Sequence, residues 1–262
     1  MSMKSQDLMF VHELEVFRKE AEASIQFLYA FFAVHAVAAD HESVHKLLNQ
    51  APLFWNTTLG ALQTAAFMAL GRVFDQKSAH NLDVLIRMAQ KHPEIFSKAA
   101  LARRKQGTNP SPPEWLDNYM RDAYEPTPED FRRLRAHVRK WRKIYESNYR
   151  DIRRKLFAHK EVSEQVQTDA LFKKTNVVEL QRMAVFLGSL HDALWGLLFN
   201  GHKPVLRPRR YSLKRMRDKP LPPGWIKSVQ EHIVKEIQQF LLSASGLPQR
   251  EPRESKRTKI PK

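Results

Sequence analysis

Thr127-Pro128-Glu129-Asp130-Phe131 opens the stretch whose reading decides the fold, and Arg150-Asp151-Ile152-Arg153-Arg154-Lys155-Leu156-Phe157-Ala158-His159 closes it. Thr127 is a good N-cap, Pro128 suits the first helical position, and Glu129 and Asp130 complement the positive helix end. Phe131, Leu134, Val138, Trp141, Tyr145, Ile152 and Leu156 then recur at helical spacing, with basic residues on the other faces. The spacing predicts one helix over 127–158, roughly 45–50 Å long at 1.5 Å per residue. Near its end stand several arginines, a few residues before one histidine.

Working outward, the same period recurs along the chain. Leu14, Phe17, Ala21, Ile25, Leu28 and Phe32 predict a helix over 5–39. Trp55, Leu59, Leu62, Ala66, Leu70 and Val73 predict another over 51–74. Its small residues Gly60, Ala61, Ala65 and Ala69 admit a close neighbour. Shorter helices are expected over 81–90, 93–104 and 114–124. Residues 161–175 read as a polar connection. Thr175 is expected to cap a fourth long helix over 176–199, striped by Leu180, Met183, Leu187, Leu190, Leu194 and Leu198. Asn200-Gly201 supplies its stop. No strand alternation persists. The expected fold class is therefore all-α: an up-and-down helical bundle of four long helices over 1–201, with short accessory helices. A basic C-terminal arm with an amphipathic helix (202–245) and a disordered basic tail (246–262) complete the expected organisation.

The 262 residues carry a formal net charge of +16, with 8 Gly and no Cys. Disulfides and thiolate metal sites are thereby excluded, and a reducing cytoplasmic setting is expected. The charge is segregated. Residues 127–160 hold 12 Lys/Arg against 4 Asp/Glu, and residues 201–262 hold 16 against 5. A basic surplus confined to two segments points to a polyanionic partner, most simply a nucleic acid. The first 18 residues contain acids and no apolar run, which is not the pattern of a secretory signal. Segments 23–39 and 51–71 lack charge, yet polar side chains interrupt both. They read as buried helices rather than membrane spans, and no membrane is expected as a partner.

Arg153, Arg154 and His159 are the candidate catalytic residues. Arginine presents a fixed fork to phosphate oxygens and stays charged, while histidine moves protons near neutral pH. RNA cleavage by its own 2′-hydroxyl needs a base, an acid and positive charge on the phosphorane, and one His can fill one proton-transfer role. Two copies in a homodimer would fill both. On an ideal helix Arg153 and His159 do not superpose, so His159 ending the core stripe beside a solvated arginine face is the competing reading. Arg150, Lys155, Lys160, Arg207, Arg209 and Arg210 are the candidate phosphate-binding residues. His41-Glu42-Ser43-Val44-His45 has the two-histidine spacing of a zinc site. It lacks a third ligand nearby and is read as a polar linker, so no metal or cofactor is expected.

The phrase Ile152-Arg153-Arg154-Lys155-Leu156-Phe157-Ala158-His159-Lys160-Glu161 resembles the signature of the HEPN superfamily, in which an Arg precedes a His by four to six residues. Leu70-Gly71-Arg72-Val73-Phe74-Asp75, followed by Asn81-Leu82-Asp83-Val84-Leu85, is similar to the AbiU-like abortive-infection branch. The resemblance covers roughly residues 10–200. It implies a helical bundle, commonly dimeric, and metal-independent endoribonuclease activity of a toxin or abortive-infection type, with RNA as substrate and an antitoxin protein as a possible partner. Arg153 or Arg154 would be its motif arginine and His159 its histidine. Arg154 stands where the superfamily usually has a small polar residue after the motif arginine. The alternative reading is a non-catalytic RNA-binding HEPN module.

Overall fold

A computed structural model describes residues 5–158, 170–207, 210–218 and 228–246. All regular elements among them are helical. Helix α1 (Ser5–Asp40) is the spine of the molecule. Phe10, Leu14, Phe17, Ala21, Ile25 and Leu28 form its buried stripe, and Tyr29 and Ala33 are fully enclosed. Burying each large side chain contributes about 1.5–3 kcal/mol, before the entropy of ordering it is subtracted. Against α1 pack α3 (Pro52–Phe74), α8 (Val177–Asn200) and α10 (Val229–Ala244). Helix α4 (Leu82–Lys91) connects this group to α7 (Pro128–Asn148), while α5 (Lys98–Gln106) lies on α8 and on α6 (Leu116–Asp122).

Local chemistry sets the helix ends. The Asn81 side chain accepts from the Asp83 and Val84 amides at 3.0 and 3.2 Å, starting α4. Thr127 and Asp130 form a capping box at α7, with the Thr127 amide donating to Asp130 at 2.9 Å. Ser228 and Glu231 repeat that device at α10. Helix α8 stops at Gly201, whose φ of 58° is left-handed. A side chain there would also strike Leu101 and Ala123, so glycine is required on two counts.

Several expectations need correction. The helix over 127–158 is not uniform: α7 ends at Asn148, Tyr149 leaves helical geometry, and Ile152–Ala158 form a wide π-helix. The change coincides with a contact from outside the segment: the buried Tyr149 hydroxyl is tied to Glu179 and Asn176 at the start of α8. Segment 93–104 divides into a 3₁₀ turn (Pro93–Phe96) and α5, because Ser97 caps the Ala100 amide and begins a new helix. Asn176, not Thr175, caps α8, accepting from Val178 and Glu179. The arm over 202–224 includes a short helix, α9 (Leu213–Asp218), whose Met216 is buried.

The His41–His45 stretch is not a linker. His41 begins α2 (Glu42–Gln50), anchored by the buried Val44, and among the described residues no third potential ligand joins the two histidines. Segment 51–71 is fully buried only in its second half: Leu53 and Phe54 are 82% and 62% exposed, while Trp55 and Leu59 are partly buried against Val34, Val37, Val44 and Leu241. By length and composition, α1 and α8 are apolar enough to cross a membrane, but both bury most of that surface in the core. Residues 161–169 of the expected polar connection, and 247–262 of the expected disordered tail, lie outside the described residues.

Candidate functional site

The site is built where α3 ends and the π-helix begins. Arg153 follows the buried Ile152, and its amide donates to the Tyr149 carbonyl at 3.1 Å. Its side chain runs across Gly71 in the last turn of α3. A Cβ built on Gly71 would fall 2.2 Å from Arg153 Cδ and 2.7 Å from Nε, closer than real atoms approach. Glycine at 71 therefore makes room for this arginine. Beyond Gly71, Arg153 Nη1 donates to Asp75 Oδ2 at 3.3 Å, with side-chain exposures of 20% and 24%. Asp75 is itself oriented: it caps α3, and its Oδ1 accepts from the Lys77 amide at 3.1 Å.

The surroundings are aromatic and dry on one side. Tyr145 is fully buried and stacks on Phe74 with ring centroids 5.4 Å apart. Burial pushes its phenol up to about 12, and the nearby Arg153 pulls in the opposite direction. The Tyr145 hydroxyl and the Arg153 Nε are both buried without a hydrogen-bond partner among the described residues. An orphaned buried donor is uncommon and calls for an explanation. Phe157 packs on Phe67 of α3 at 5.3 Å, holding the far end of the π-helix against the same helix. Such wide turns are rare and recur at functional sites.

Gly71→Ala tests this fit. Better helix propensity favours alanine by about 1 kcal/mol, while overpacking costs about 1–3 kcal/mol. The expected net result is a loss of up to about 2 kcal/mol in a thermal melt. A crystal structure of the variant should show Arg153 displaced from Asp75. An unchanged pair would contradict the assigned role of the glycine.

A family model, HEPN_AbiU2 (AbiU2), matches residues 8–216. The chain belongs to the HEPN AbiU2 family. Comparison with curated proteins and with solved structures gives no match. The AbiU2 match takes in α1 from Leu8, Gly71, Asp75, Arg153 and the arm through Arg210, and it agrees with the all-helical described structure; the family name suggests an abortive-infection HEPN module.

Within this AbiU2 chain the expected site residues divide by position. Arg150 and Arg154 are exposed on the same segment as Arg153, and Lys155 pairs with Asp151 at 3.6 Å. His159, Lys160 and Arg209 lie outside the described residues. The wide turns after Ile152 also remove the 3.6-residue step on which any projection of His159 from the sequence relies. Arg207 is exposed, and its carbonyl accepts from Ser189 of α8 at 3.0 Å. That point is about 15 Å along α8 from Glu179, the contact of Tyr149, at 1.5 Å per residue. Arg210 faces Glu231 of α10 at 3.7 Å. Arg207 and Arg210 are thus held on α8 and α10 rather than on the Arg153 turn. Asp75, Gly71 and Tyr145 were not singled out as site residues from the sequence. The phrase Leu70–Asp75 carried the signal for the first two, and its arginine, Arg72, turns instead to Glu20 of α1 at 2.8 Å.

Proposed function

We propose that this AbiU2 protein is a metal-independent endoribonuclease that cleaves RNA by 2′-hydroxyl transesterification. The observation that carries the reading is Arg153: a part-buried guanidinium, its side chain 20% exposed, anchored through one nitrogen on Asp75. A guanidinium fixed in this way is ready to meet phosphate oxygens without first reorganising, which is how electrostatic stabilisation of a transition state works. The exposed Arg150 and Arg154 flank it, with Lys155 beside them, and would hold neighbouring phosphates.

In the reaction the 2′-oxygen bonds to the adjacent phosphorus as the bond from phosphorus to the 5′-oxygen breaks. One proton leaves the 2′-hydroxyl and one reaches the departing 5′-oxygen. The products are a 2′,3′-cyclic phosphate and a 5′-hydroxyl. His159 would take one of these roles and its copy in a homodimer the other. The setting would be phage defence, with an antitoxin protein as a possible restraint. The test is labelled RNA incubated with the full chain in EDTA. Cyclic phosphate ends that disappear in His159→Ala support the reading, and undiminished cleavage by that variant rejects it.

A second reading is a non-catalytic RNA-binding module. The commitment of Arg153 to Asp75 favours it, since an arginine held by a carboxylate has less charge to offer a phosphorane. Retention of the labelled RNA without cleavage would select this reading.

A further inference from the structure

The basic residues of α7 and its wide extension fall into two sets. At 3.6 residues per turn, Arg135 and Arg142 share a flank of α7 beside the apolar stripe, and Arg153 stands past the break at Tyr149. Each meets an acceptor from elsewhere in the chain: Arg135 donates to Gln90 at 3.1 Å, Arg142 to Asp83, and Arg153 to Asp75. Arg132, Arg139 and Lys143 occupy the adjoining sector of α7, about 40° wide, with Lys140 at its edge, and Arg150 and Arg154 follow beyond Tyr149. All six are exposed. Arg132 pairs with Glu129 at the surface, whereas Arg139, Lys140, Lys143, Arg150 and Arg154 have no carboxylate partner among the described residues. The stripe from Arg132 to Lys143 is about 17 Å long at 1.5 Å per residue, and Arg150 and Arg154 lie on the segment that carries Arg153.

The aromatic residues of the same segment face the other way. Phe131, Tyr145 and Tyr149 are buried, and Trp141 is stacked on Phe186 of α8 at 5.7 Å. A surface of cations without an exposed aromatic can hold phosphates but cannot stack on bases. We infer that Arg139, Lys140, Lys143 and Arg150 form a track, blind to base identity, that carries the backbone of single-stranded RNA to the Arg153 turn. The choice of RNA rests on the function proposed above. The choice of a single strand follows from the chemistry. The 2′-hydroxyl must swing into line with the departing oxygen, and a stacked A-form duplex holds it out of line.

The experiment measures binding of the full chain to a 2′-O-methylated 20-mer of mixed sequence, which cannot be cleaved, across a salt series. Each phosphate neutralised contributes about 0.7 to the slope of log affinity against log salt for a single strand. The triple variant Arg139→Gln/Lys140→Gln/Lys143→Gln should therefore lower the slope by about 2. Lys19→Gln/Lys46→Gln/Lys91→Gln removes the same charge from exposed sites off α7 and should leave it unchanged. Homopolymers of A and of U should bind within about tenfold of one another, since no base contact discriminates them.

An unaltered slope in the first triple variant overturns the track, as does an equal fall in the control variant, a stronger homopolymer preference, or no binding at all. Binding of phosphatidylserine vesicles in place of RNA, lost in the same variant, also overturns it. Cleavage of unmodified RNA is scored separately. Loss of the slope in a protein that does not cleave RNA leaves the track standing and removes the nuclease reading. Cleavage with an unaltered slope does the reverse.

Discussion

Arg153→Ala is expected to lower RNA cleavage by about 10²–10³ while leaving the fold intact, the loss typical of one preorganised donor at a developing anion. The fold should survive because the arginine is only part-buried and the Asp75 carboxylate keeps both some water and the Lys77 amide. Arg153→Lys keeps a charge but loses the planar fork and should recover little of the rate. Asp75→Asn keeps the shape of the anchor and removes its charge. It should slow cleavage less than Arg153→Ala, since the guanidinium remains but is free to wander. Single-turnover cleavage rates, with a thermal melt of each variant, check the order. A rate for Arg153→Ala within a few-fold of the parent would remove this arginine from the chemistry.

The second large effect concerns stability. Arg104 of α5 is 6% exposed and ties three elements together. It reaches Asp7 of α1 at 3.4 Å, and its Nε and Nη2 donate to the Leu198 carbonyl of α8 at 3.1 and 2.9 Å. The Asp7 side chain is also 6% exposed. Arg104→Ala leaves a buried carboxylate without its cation and a helix-end carbonyl without its donors. Removing one partner of a buried pair costs about 3–5 kcal/mol, which lowers the melting temperature of a chain this size by roughly 6–20 °C. A fall of under 2 °C would mean that water replaces the arginine at little cost.

The sequence was most legible where the cause of structure is local. Helix α1 runs within a residue of its expected bounds, because its apolar period is unbroken and no glycine or proline interrupts it. The stop at Gly201 was readable for the same reason. The break at Tyr149 was not, since the apolar stripe continues through it and the tether comes from Glu179 on another helix. Uncharged composition marked α3 as a helix, but could not reveal that Leu53 and Phe54 would face outward while Trp55 and Leu59 turn inward.

The site shows the same division. Arg153 and Arg154 stood out by residue type, yet nothing local separates the arginine held by Asp75 from the one that has no carboxylate partner among the described residues. That difference comes from Asp75, 78 positions earlier in the chain. Likewise, the paired and unpaired cations of α7 are sorted by Asp83 and Gln90 of α4, residues whose nearness only the folded chain reveals.

The arrangement at Gly71 has a bearing on descent. Where the hydrogen atom at 71 is replaced by a methyl group, the long cation at 153 loses its path, and the carboxylate at 75 loses its mate. The three positions are therefore bound to drift as a set: a lineage that exchanges the glycine is expected to abandon or reroute the arginine as well, and one that keeps the arginine inherits the glycine with it.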